Sequence, residues 1–125
     1  MDGELTQQAL FDKYPKIFAQ HKLPMQQTCM CWGLQIGKGW YPLIDELCEQ
    51  IQANVDTRGI RQIEATSVKE KCSGLRFSTN YYDPEIDKLI RKIQHKASRT
   101  CETCSNPGKC RDERGWSEVL CKNCS

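Results

Sequence analysis

Nine cysteines in 125 residues are the first chemistry this sequence offers. Four of them fall into two pairs of equal spacing, Cys101-x2-Cys104 and Cys121-x2-Cys124, with 16 residues between the pairs. Two cysteines so spaced sit on a tight turn that aims both sulfurs at one point. Two such knuckles complete a tetrahedron around a cation about 2.3 Å from each sulfur. The pattern points to one zinc ion (Zn2+) held by Cys101, Cys104, Cys121 and Cys124. Four thiolates leave no open coordination position, so the expected role is structural, not hydrolytic. Arg99, Lys109, Arg111 and Lys122 lie close in sequence and offset the residual negative charge of such a cluster.

Disulfides are the competing use of so many thiols. The cysteine count is odd, and the acidic start Met1-Asp2-Gly3-Glu4 lacks the basic and apolar stretches of an export signal. A reducing cytosol, where thiolates bind metals, is the expected setting. Cys110 lies between the pairs with no cysteine at knuckle spacing, and a ligand set using it in place of one of the four is the alternative. Cys29-Met30-Cys31 could join Cys48 or Cys72, with His21, at a second metal. Buried thiols are the plainer reading, because cysteine behaves as a small hydrophobe and Cys48 sits on an apolar helical face.

Other chemistry finds little material. His21 and His95 are the only histidines, and no Ser/His/Asp set or paired-carboxylate motif is present. Gly37-Lys38-Gly39 lacks the spacing and following Ser/Thr of a phosphate loop. The expectation is a protein that is not an enzyme and has no small-molecule substrate. No run approaches the roughly 18 apolar residues of a bilayer crossing, so no membrane partner is expected.

The elements that must position these residues are legible from periodicity. Thr6 caps a short helix over 6–14 with Leu10, Phe11 and Tyr14 on one face, and Pro15 interrupts it. Residues 21–41 read as irregular. Pro42 opens a helix whose apolar face is Leu43, Ile44, Leu47, Cys48, Ile51 and Val55, with Gly59 as its stop. The β-branched stretch 60–70 predicts a strand, Ser73-Gly74 a turn, and Leu75, Phe77 and Thr79 the returning strand. Asp83 and Pro84 begin a helix over 84–98 with Ile86, Leu89, Ile90, Ile93 and Ala97 as its buried stripe. The fold class is therefore α+β. Helices pack on a small antiparallel β-hairpin sheet, with a C-terminal zinc-ribbon or treble-clef-like module. Residues 1–98 form the core region and 99–125 the module packed on it.

Net charge is only +2, but segment 58–82 carries five basic and two acidic residues. Arg58, Arg61, Lys69, Lys71 and Arg76 fall on or beside the hairpin. Lys88, Arg91, Lys92, Lys96 and Arg99 lie on or just after the last helix. If those two faces align, they form a basic stripe able to release phosphate counterions, and the chain would be a nucleic-acid-binding zinc ribbon. Trp32, Trp40 and Tyr41 suit interface anchors for a protein partner; equally, the two tryptophans could close the core beneath the irregular segment.

The blocks Thr28-Cys29-Met30-Cys31-Trp32-Gly33, Gly39-Trp40-Tyr41, Leu47-Cys48, Val68-Lys69-Glu70-Lys71, Gly74-Leu75-Arg76-Phe77, Thr100-Cys101-Glu102-x-Cys104 and Gly115-Trp116 resemble a family of small uncharacterised proteins of tailed bacteriophages and prophages. The resemblance spans roughly residues 8–125. Two positions depart from it: Cys72 stands where such proteins tend to carry an aromatic residue, and Ser105 where they tend to carry glycine. The first departure makes Cys72 a core substitution more readily than a ligand. The resemblance implies a phage accessory protein in the host bacterial cytoplasm. It would bind and inhibit or redirect a host protein complex, for example in counter-defence against CRISPR–Cas. It assigns no functional residue.

Overall fold

The last long helix shows most directly how local chemistry sets the architecture. In the computed structural model, helix α3 spans Pro84–Ala97, with proline in its first turn. The Asp83 side chain accepts a hydrogen bond from the Ile86 N–H at 3.1 Å. Ile86, Ile90, Ile93 and Ala97 are buried, as the stripe predicts. The structure describes residues 6–22, 30, 33–71, 74–111 and 118–124. Cys29, Cys31, Trp32 and Cys72 lie outside the described residues, as does the side chain of His21.

Chain order among the described elements is α1 (Gln7–Lys13), β1 (Leu34–Gln35), α2 (Tyr41–Arg58), β2 (Ala65–Lys71), β3 (Gly74–Thr79), α3, β4 (Lys109–Arg111) and β5 (Glu118–Leu120). Short 3-10 turns occupy Ala19–Lys22 and Lys38–Trp40. The architecture is α+β, with one three-stranded and one two-stranded sheet. None of the described helices is long and apolar enough to cross a membrane.

Thr6 Oγ1 caps α1 by accepting from the Ala9 N–H. Its apolar residues Leu10 and Phe11, followed by Tyr14, Ile17 and Phe18, enter the main core. Tyr14 ties this segment to α2 by donating its hydroxyl to Asp45 Oδ1 at 2.6 Å. Helix α2 runs to Arg58, up to the expected stop. It ends where Gly59, at φ 64°, adopts the left-handed conformation and donates its N–H to the Val55 carbonyl.

The hairpin is present, with two differences from the sequence reading. Strand β2 starts at Ala65, not at residue 60, because the Asn80 side chain takes the place of a ladder. It accepts from the Glu64 N–H at 2.8 Å and donates to the Gln62 carbonyl at 3.2 Å. The sheet also has a third strand: β1 pairs with β2 in parallel, Leu34 opposite Val68 and Gln35 opposite Lys69. The sheet is therefore mixed, not a plain antiparallel hairpin. The Leu34 N–H, next to the Gly33 turn at φ 77°, donates to Gln7 Oε1 at 2.8 Å, which anchors β1 to α1.

Strand register separates two faces. Val68, Leu75 and Phe77 point into the core shared with Ile86, Ile90 and Ile93, so α3 lies against β3, with α2 beside α3. Lys69 and Arg76 sit opposite each other on the outer face, both exposed. Helix α3 packs on the inner face, so Lys69, Lys71 and Arg76 on the outer face and the cations of α3 belong to different layers.

Candidate metal centre

The residues after α3 are built on hydrogen bonds more than on bulk. The Cys101 N–H donates to the Asn106 carbonyl at 2.7 Å and the Gly108 N–H to the Arg99 carbonyl at 2.8 Å, which closes the first loop back on its own entry. Strands β4 and β5 then pair antiparallel, Cys110 opposite Val119, and deliver Cys121 to the first loop. Val119 enters the main core, while Cys101, Leu120 and Cys121 form a second buried cluster with Cys124 against it.

Both cysteine pairs lie on turns. The Ser105 N–H donates to the Cys101 carbonyl at 3.0 Å, and the Cys124 N–H to the Cys121 carbonyl at 3.2 Å. Ser105 takes φ 75°, the left-handed conformation that glycine adopts most easily. The four sulfurs of Cys101, Cys104, Cys121 and Cys124 all lie within 4.8 Å of one another, with Cys104 and Cys121 at 3.5 Å. Sulfurs placed tetrahedrally about 2.3 Å from one cation stand about 3.8 Å apart, so this set is able to hold a metal such as zinc. It is the only group of three or more metal-ligating side chains so gathered among the described residues.

Thiol acidity follows the same geometry. Burial pushes the Cys101 thiol up. N–H groups of Cys121, Cys104 and Thr103 aimed at its sulfur outweigh that and bring it down to about 6. Burial likewise opposes ionisation of Cys121, and hydrogen bonds from Cys104 and Cys124 lower it nonetheless. Cys124, donating toward Cys121, Cys104 and Cys101, is pushed up to about 12. Cys104 is raised as well: the Asn106 N–H favours its thiolate, but its hydrogen bond to Cys121 prevails. Cys101 and Cys121 are thus made easier to ionise, and Cys104 and Cys124 harder. A cation at the centre would hold all four as thiolates, which is the chemistry the donor set suits.

Glu102, between the first two cysteines, joins three pieces of chain. Its N–H donates to the Val119 carbonyl at 2.9 Å, and its Oε2 accepts from the Val119 N–H at 3.0 Å. Its carbonyl accepts from the Gly39 N–H at 2.8 Å. The 37–40 turn is pressed against the knuckle here. Side chains at Gly37 or Gly39 would collide with the backbone carbonyls of Glu102 and Cys101 respectively. Ser105 Oγ donates to the Gly39 carbonyl at 2.6 Å, and Trp40 Nε1 to the Thr100 carbonyl at 2.8 Å.

These contacts reassign several residues. Trp40 is 0% exposed and spends its one polar group on Thr100, so it is a core residue and not a surface anchor. Tyr41 is half-buried against the core, and Trp32 lies outside the described residues. Cys48 is fully buried on the apolar face of α2, where burial raises its thiol pKa strongly. Cys110 is exposed on β4 and is not part of the sulfur cluster. Arg58 is neutralised by both oxygens of Asp83, at 2.9 and 3.0 Å. Arg61 stacks over Tyr81 with 4.7 Å to the ring centroid. On α3, Lys88 pairs with Glu85, Arg91 with Asp87 and Lys96 with Glu46, whereas Lys92 is exposed.

Sequence reasoning missed Glu102 and the two glycines. The signal was present, in a glutamate between zinc-type cysteines and in a Gly-x-Gly-Trp run that fits no phosphate loop. No family model matches the chain, and neither a curated protein nor a solved structure matches it.

Proposed function

We propose that this is a non-enzymatic binding protein whose C-terminal part is a zinc ribbon organised by one structural zinc ion. The carrying observation is the closed set of four sulfurs from Cys101, Cys104, Cys121 and Cys124, all within 4.8 Å. A thiolate tetrahedron suits zinc by ligand softness and geometry. With every coordination position filled by protein, the ion has no place for water or substrate. Its work is to fasten two knuckles together and to present the 37–40 turn that packs on them. Activity then resides in the protein surface.

The partner we assign is a host protein complex in the bacterial cytoplasm, inhibited or redirected by a phage accessory protein, counter-defence being one such role. The resemblance of the Cys-Met-Cys-Trp-Gly and Gly-Trp-Tyr blocks to phage proteins supports this reading. Tyr41, half-buried beside the turn that packs on the knuckle, is the anchor that retains surface among the described residues. Affinity capture from a bacterial lysate tests it. Tagged wild-type protein is expected to retain one host complex at near-stoichiometric yield, and Tyr41→Ala to retain less while keeping its metal. Recovery of no complex, or equal recovery by a metal-stripped unfolded sample, contradicts the reading.

A further inference from the structure

We propose that the outer face of the three-stranded sheet binds the phosphate backbone of nucleic acid. The register places Gln35, Lys69 and Arg76 side by side across β1, β2 and β3. With neighbouring strands about 4.8 Å apart, that row spans about 10 Å of flat surface. Lys71 and Ser78 share the same face, and Gln35, Lys69, Lys71, Arg76 and Ser78 are all exposed. Two cations set directly opposite each other on a sheet repel, which is a cost an isolated fold has no reason to keep. A phosphate lying between them turns that repulsion into attraction.

The charges that could have quenched this face are engaged elsewhere. Segment 58–82 holds two acidic residues, Glu64 and Glu70. Glu64 accepts from Gln20 Nε2 at 3.1 Å, and Glu70 is turned inward against Glu102 and Glu118. The other basic residues of the segment are taken as well, Arg58 by Asp83 and Arg61 by the Tyr81 ring. Lys69, Lys71 and Arg76 are the cations left, and all three lie on one face. No described outward position of β1, β2 or β3 is aromatic or acidic, so this face offers phosphate contacts without base stacking. The occupant it fits is a polyanion read without regard to sequence. This goes beyond the host-complex reading and does not depend on the metal assignment.

Fluorescence anisotropy with a labelled oligo-thymidylate of about 20 nucleotides tests it, alongside a duplex of the same length. Three phosphate contacts predict a single-strand salt slope of about −2, that is, a loss of about 20-fold in affinity between about 50 and 200 mM salt. The duplex arm predicts a slope nearer −2.7, and the tighter arm identifies the form bound. Lys69→Gln or Arg76→Gln should each reduce the single-strand slope by about 0.7, whereas Lys92→Gln on the opposite layer should leave it unchanged. Thermal melts and metal content of the variants, matched to wild type, show that the fold is intact. Absence of binding to both probes at low salt overturns the proposal. So does a slope that ignores Lys69 and Arg76 but responds to Lys92. Equal affinity for polyglutamate of similar length overturns it in favour of an acidic protein partner.

Discussion

Gly39 donates its backbone N–H to the carbonyl of Glu102 at 2.8 Å, across 63 positions of sequence. That bond, with Ser105 Oγ on the Gly39 carbonyl, fastens the turn before α2 to the first cysteine knuckle. The approach is close enough that only a residue without Cβ fits, since a methyl at position 39 would strike the Cys101 carbonyl. Gly39→Ala should therefore lower stability by about 1–3 kcal/mol. Chemical denaturation of wild type and variant, both saturated with zinc, measures this. An unchanged midpoint would mean that the turn does not pack on the knuckle.

Ser105 occupies a left-handed backbone position at φ 75° and offsets that strain with its bond to Gly39. Replacement by alanine keeps the strain and loses the bond, and should cost about 1 kcal/mol. Replacement by glycine relieves the strain while losing the bond, and should come out within about 0.5 kcal/mol of wild type. The order serine, glycine, alanine in melting temperature is the outcome to look for, with glycine clearly above alanine.

Glu70 supplies a pH dependence. Burial, then the hydrogen bond and charge of Glu102 and the charge of Glu118, raise its carboxyl from the ordinary 4.5 to about 7. Its Oε2 is buried without a hydrogen-bond partner. Because the folded state holds the proton more tightly than the unfolded chain, this group's contribution is complete below pH 4.5. It falls as pH rises towards 7 and is flat above. Glu70→Gln keeps a donor towards Glu102 without a charge, so it should melt higher than wild type at pH 8 and close to it at pH 4.5. Thermal melts across that window check the sign, and a variant less stable at pH 8 would reverse it.

How much of this the sequence carried depends on how local each signal is. Helix α3 was legible because Asp83, Pro84 and the isoleucine stripe sit within one short window. The cysteine cluster was legible because knuckle spacing is a local requirement of metal geometry. Strand β1 was not, since Leu34 and Gln35 alternate over only two positions and owe their conformation to a parallel partner more than thirty residues away. Trp40 could be read as anchor or core until its neighbour Thr100 was in place, 60 positions along the chain. The basic residues are plain in the sequence by type, but their facing depends on which layer each element joins. That depends on packing between β3 and α3, which no window of sequence contains. The carboxyl pair of Glu70 and Glu102 was invisible for the same reason.

The central claim is that four sulfurs near the C-terminus hold one zinc ion as a fastening. Native mass spectrometry of the chain purified without chelators, read with elemental analysis, addresses it directly. The account predicts one zinc per chain, and less than one, with loss of the cooperative melt, in Cys121→Ser. A metal-free chain that melts as cooperatively as the zinc-loaded one would contradict it.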